Sequence, residues 1–227
     1  MFKDKRDRCE VTKPDVLNTD FILRDEAELR QLFAPTHDIA IKKSLNHLDK
    51  HARAFIERSP FICIGTQSSN GAADVSPRGD PPGFVKVHDD RTLLIPDRPG
   101  NNRLDTLTNI MTNGHIGLLF IVPGFDDTLR VNGTAVVTRD PDLMVQMAVN
   151  DRTPTVAIAI SVDEVFIHCA KAFRRAKLWS PDAQQDRGDV PSLMNIILDQ
   201  TTGAPKDPEQ LAKLDQDLEA EYRQTMY

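Results

Sequence analysis

The spacing of apolar residues changes period several times along the chain, and each change marks an element. Asp25 stands three residues before Glu28, a capping-box-like start with Asp as the cap, and Leu29, Leu32 and Phe33 then share one helical face. Ile41, Leu45, Leu48, Ala52, Phe55 and Ile56 recur at steps of three and four as far as Ser59-Pro60, which predicts one longer amphipathic helix ending there. From Phe61 the pattern turns β-like. FICIGTQ, the turn SSNG at 68–71 and AADVSPR predict a hairpin, and GFVKVH and TLLIP around Asp89-Asp90 predict a second. HIGLLFIV (115–122), TLRVNGTAVVT (128–138) with a bulge at Gly133, and TVAIAISVDEVFIH (155–168) read as further strands. Among them, NRLDTLTNIM places Leu104, Leu107, Ile110 and Met111 on one helical face ahead of the stop signal Asn113-Gly114. Asp140-Pro141 opens a short helix, and Leu211, Leu214 and Leu218 form a narrow stripe within a helix over 207–222. Short antiparallel strands broken by helices predict a mainly β barrel with helical additions.

A length of 227 residues suits one domain with terminal additions. The expected division is an N-terminal helical extension over 1–58 that packs on the barrel, a core over 59–181, and a loop and helical tail over 182–227. No apolar run approaches the roughly 18 residues of a membrane span, and the formal charge of -6 argues against nucleic acid or an acidic membrane as partner. The start MFKDKRDRC lacks the apolar stretch of a secretory signal, so the cytoplasm is the expected location. Cys9, Cys63 and Cys169 form no C-x-x-C and are expected to be reduced thiols, with no metal site among them.

Two loops carry candidate chemistry. Asp74 to Gly83 (DVSPRGDPPG) is rich in Pro and Gly around Arg78, which suggests a rigid, specifically shaped segment. Ile95 to Arg103 (IPDRPGNNR) leads from a strand through a Pro-Gly turn into a helix start bearing Arg98, Asn101, Asn102 and Arg103. Free N–H groups at a helix start, an Arg fork and the Ser76 hydroxyl together suit a phosphate. Each loop alone is more often plain turn chemistry than a ligand site. Lys171 to Trp179 (KAFRRAKLW) carries four cations and no acid, which fits either an anionic ligand or a solvated helix face. His168 and Cys169 are strand neighbours that point to opposite faces, and His47 and His51, four apart, have no third ligand nearby.

Taken together, SPFICIGTQSSNGAADVSPRGDPPGFVKV, TLLIPDRPGNNRLDTLTNI, GLLFIVPG, TLRVNGTA and VFIHCAKAFRRAKLW closely resemble the pyridoxamine 5′-phosphate oxidase-related, flavin mononucleotide (FMN)-binding split-barrel proteins. The resemblance covers about 59–181 and implies a six-stranded antiparallel split barrel and a homodimer with flavin between the subunits. It implies Arg103 as the phosphate ligand, with Ser76, Arg78, Arg98 and Asn102 beside it. Val75, Pro77, Ile95 and Pro96 would line the ring pocket through side chain or backbone. Lys171, Arg174, Arg175 and Trp179 match the family's C-terminal basic and aromatic segment, Trp179 being a core residue in the other reading. The chain ends EYRQTMY without the Arg-x-His substrate segment of true pyridoxamine 5′-phosphate oxidases, which argues against vitamin B6 oxidation. The expected function is flavin-mediated hydride or electron transfer with a small substrate or a reduced nicotinamide, and no catalytic side chain is named. A non-enzymatic flavin carrier or redox sensor, and a barrel holding deazaflavin F420 or haem, are the alternatives.

Overall fold

The computed structural model describes residues 14–226; Cys9 and the start of the chain lie outside them. Asp25 does cap α1 (Glu26–Gln31), accepting from the Glu28 N–H at 2.9 Å. The single long helix expected up to Ser59 is instead two, α2 (Asp38–Lys42) and α3 (Lys50–Arg58). Two local interactions outcompete helical periodicity there. Leu45 pairs as an isolated bridge with Val165, and Asp49 accepts from the N–H groups of His51 and Ala52, starting a new helix. His47 therefore lies outside the helix that holds His51. Ala52, Phe55 and Ile56 of α3 are buried, whereas α1 and α2 bury no residue.

The strands are β1 (Phe61–Gln67), β2 (Ala73–Gly79), β3 (Lys86–Val87), β4 (Thr92–Pro96), β5 (His115–Ile121), β6 (Thr128–Thr138) and β7 (Ala157–His168). They form one antiparallel sheet in the order β2-β1-β5-β6-β7-β4-β3. That is seven strands where the resemblance implies six. The additional one is β3, cut to two residues by Pro81, Pro82 and Gly83 before it and the turn at Asp89-Asp90 after it. No ladder joins β2 to β3 among the described strands. The sheet nevertheless curls, because one core cluster draws Ile62 and Ile64 from β1 and Leu93 and Ile95 from β4, which three strands separate. The register slips between Asn132 and Gly133. A Cβ on Gly133 would collide with the Ser161 carbonyl, so the bulge requires glycine.

Helix α4 (Asp105–Thr112) connects β4 to β5 and contacts β1, β2 and β6. Asp140 caps α5 (Pro141–Val145), whose Met144 joins Leu94, Met147 and Ala157 in a second apolar cluster behind β4. After β7 follow α6 (Lys171–Ala176), α7 (Leu193–Asp199) and α8 (Pro208–Thr225). None of these three buries a residue, and no described helix is long and apolar enough to cross a membrane.

Candidate functional site

The two loops singled out by sequence meet. Strand β2 and the 97–104 loop enclose a groove of about 570 Å³, within the range of small-molecule sites. Its floor is a polar network that joins three elements. Asp74 Oδ2 on β2 lies 3.1 Å from Thr106 Oγ1, 3.3 Å from Thr66 Oγ1 and 3.4 Å from Ser76 Oγ. Thr106 Oγ1 and Ser76 Oγ are 3.0 Å apart, and Asn109 Nδ2 donates to Thr66 Oγ1 at 3.0 Å. Thr66, Thr106 and Asn109 are buried, so these contacts satisfy groups that water cannot reach. Sequence reading missed Asp74, Thr66, Thr106 and Asn109. The available signal was polar residues at helical spacing, Thr106 and Asn109, beside the apolar pair Leu107 and Ile110.

The rim is the start of α4. The expected helix onset near Asn102 falls later, at Asp105, because Asn102 (φ 56°) and Leu104 (φ 60°) both take the left-handed conformation. A branched residue such as Leu accepts that conformation at a cost of about 1 to 2 kcal/mol. No side chain caps α4, and the N–H groups of Asp105, Thr106 and Leu107 have no partner among the described residues. Leu104, Asp105, Thr106 and Leu107 line the groove. Arg103 stands beside them, largely exposed, its Nε donating to Asp105 Oδ2 at 2.7 Å, which raises the guanidinium's already high pKa. Arg78 lines the same groove and donates to the Pro77 carbonyl.

The remaining expected residues divide. Arg98 lines the groove, but its Nε donates to Asp80 at 2.7 Å and its other end to the Met147 carbonyl at 3.1 Å. Asn102 also lines the groove. Strand alternation sends Ser76 and Arg78 to one face of β2 and Val75, 71% exposed, to the other, while Pro77 still borders the groove. Ile95, completely buried in the core, and Pro96, also buried, are not among the residues that line the groove. Asp97, which sequence reading did not single out, does reach it. Burial pushes its carboxyl above the ordinary value, with Arg78 and Arg98 pulling the other way.

Lys171, Arg174, Arg175 and Trp179 line no part of this groove within the chain. Arg174 pairs with Asp126 at 2.9 Å. Trp179 stacks on Phe173 and donates its indole N–H to the Phe125 carbonyl at 2.7 Å, so within one chain it sits neither in the core nor at the groove. His168 packs edge-on against Phe166, and Cys169 is exposed. Among the described residues no group of three His, Cys, Asp or Glu could hold a metal ion.

Among solved structures, the protein HupZ of Group A Streptococcus shares 18% identity at a TM-score of 0.45, over 52% of this chain and 92% of that one. General Stress Protein 26 of Bacillus anthracis shares 17% at 0.40, over 51% and 88%. An FAD binding protein of Mycobacterium smegmatis shares 14% at 0.39, over 55% and 97%. No curated protein matches the sequence. The profile described as pyridoxamine 5′-phosphate oxidase matches residues 48–169, over half of the chain, spanning α3 to the end of β7 with both sides of the groove. The chain belongs to the pyridoxamine 5′-phosphate oxidase family.

Proposed function

We propose that the chain is an FMN-binding oxidoreductase of this family, with the flavin phosphate at the start of α4. The observation that carries the reading is the cluster of unpartnered N–H groups of residues 105–107 beside Arg103, Arg78 and Ser76 in one groove. A helix start with free donors favours an anion, and the planar Arg fork matches phosphate oxygens. Arg103 and Arg78 would hold the phosphate, and the Asp74 network would keep Ser76 and α4 in fixed relation. Bound flavin supplies hydride or electron acceptance, so the protein's part is anchorage, orientation and a shaped pocket. The curled sheet supports a split-barrel reading, with β3 as an appended edge. A homodimer is part of the proposal: Val75 stands in water on β2 beside the groove, an apolar side chain that a partner would cover.

The visible spectrum of the purified protein, followed by chromatography of the released ligand, tests this. A flavin spectrum with FMN released is expected; F420 or haem would replace the cofactor, and a protein left colourless after incubation with FMN would sink the reading. Anaerobic bleaching by NADH separates an oxidoreductase from a carrier. Light scattering should give twice the 25.4 kDa chain mass.

A further inference from the structure

Residues 14–43 form an arm fixed only at its root, on the end of β7. There Leu45 pairs with Val165, Ser44 Oγ donates to Glu164 Oε1 at 2.7 Å, and Lys43 Nζ donates to the Ile167 carbonyl at 2.7 Å. Beyond the root, Phe21, Leu23, Leu29, Leu32, Phe33 and Ile39 are all exposed, Phe21 to 82%. Helices of six and five residues, as α1 and α2 are, do not persist in water on propensity and capping alone. They need a surface for their apolar side chains, and the described chain buries none of them. The arm is also acidic: residues 14–33 hold Asp15, Asp20, Asp25, Glu26 and Glu28 against Arg24 and Arg30.

A complementary surface lies at α6 and the turn after it. Lys171, Arg174, Arg175 and Lys177 stand there with no acid between them, and among the described residues only Arg174 has an ion-pair partner, Asp126 at 2.9 Å. Leu178 and Trp179 beside them are exposed, and α6 buries no residue. Within the chain, no hydrogen bond or ion pair joins residues 14–41 to α6 among the described residues. Acid and apolar groups on one surface, cations and apolar groups on the other, are the complementarity that orients two copies.

We infer that the arm of one copy docks on the α6 segment of a second copy, in reciprocal exchange. The inference rests on the homodimer proposed above, for which it names a surface, and is independent of flavin. The arm's root bonds to Ile167, just before α6, so a two-fold axis beside this end of β7 brings each arm to the other α6 and makes the contact twice.

A carbodiimide joins a carboxylate to a lysine amine where the two touch, and it is applied to the full chain with light scattering run in parallel. Mass spectrometry should find the arm acids linked to Lys171 or Lys177 in the covalent dimer band of a denaturing gel. The same links in the monomer band would put each arm on its own α6 and overturn the inference. Asp20→Lys with Glu26→Lys should weaken the dimer by about tenfold in sedimentation, as should Lys171→Glu with Arg175→Glu, and mixing the two variants should restore it. Circular dichroism checks that both fold, which the exposure of these side chains favours. No weakening in either variant, or no recovery on mixing, overturns the inference. A parent chain that scatters as a monomer sinks the homodimer and the exchange together, whereas a dimer without arm-to-α6 links sinks the exchange alone.

Discussion

Arg98 and Arg103 lie in one loop five residues apart and do opposite work. Arg98 is 17% exposed and committed at both ends, to the buried Asp80 carboxylate and to the Met147 carbonyl. The Arg103 side chain is 73% exposed, and its guanidinium is held by Asp105, its own near neighbour in sequence. The first ties the loop to the body of the protein; the second leaves a guanidinium over the groove where a ligand can reach it. The same residue type, equally suited by charge to a phosphate, is thus separated into anchor and ligand by what each side chain touches. An anion site needs both, since a rim that moved would not hold its donors in place.

The largest expected effect is on the anchor. Arg98→Ala removes the guanidinium that pairs with the buried Asp80 carboxylate, and removing one member of a buried pair costs about 3 to 5 kcal/mol. Urea denaturation should show that loss for Arg98→Ala, while Arg103→Ala stays within about 0.5 kcal/mol of the parent. Equal stabilities for the two variants would erase the distinction between anchor and rim.

On the rim the effect moves from stability to binding. Arg103→Ala removes a charge-assisted hydrogen bond to the proposed phosphate, worth about 1.5 to 3 kcal/mol, or about one to two decades in dissociation constant. Riboflavin, which lacks the phosphate, should lose much less. Fluorescence titration of both ligands decides it: an equal loss for both would assign Arg103 to holding the loop.

How much of this was legible in sequence follows from the range of the interactions. The loops at 74–83 and 95–103 announce themselves through Pro, Gly and Arg, and the hairpins through turn residues and alternation, all local signals. The break before α3 was not legible, since Leu45 leaves the helix to pair with Val165, 120 positions away. Nor was the task of Arg98, which depends on Asp80 and Met147 approaching from two other segments. Asp74 was not singled out within the 74–83 segment, since only the packing of α4 on β1 and β2 makes it the hub of a hydroxyl network.

That network gives the next smaller effect. Thr106→Val keeps the shape of a side chain only 1% exposed but removes the hydroxyl that faces Asp74 and Ser76. A half-buried acceptor that loses one of several donors should cost about 1 kcal/mol in thermal or urea unfolding. An unchanged midpoint would mean that Thr66 and Ser76 satisfy Asp74 by themselves. The floor would then be less rigid than the contrast with the rim supposes.

The smallest effect belongs to Asp97, a carboxylate that lines the groove between Arg78 and Arg98. Burial raises its pKa above the ordinary 3.8, so the folded state holds this proton more tightly than the unfolded chain does. The sign follows. Above the raised pKa, Asp97 is charged and opposes folding; as pH falls through that value the penalty fades, and below the unfolded value it is gone. The same charge opposes an anion in the groove. Asp97→Asn should therefore bind FMN slightly more tightly than the parent near neutral pH, by about twofold, the scale of one charge acting across a solvated site at about 0.5 kcal/mol. The flavin phosphate titrates too, but the variant-to-parent affinity ratio at each pH cancels that contribution. This ratio should fall toward one as pH drops through the Asp97 pKa. A ratio flat across the range would place the phosphate too far from Asp97 to sense its charge, and so away from the Arg78 side of the groove.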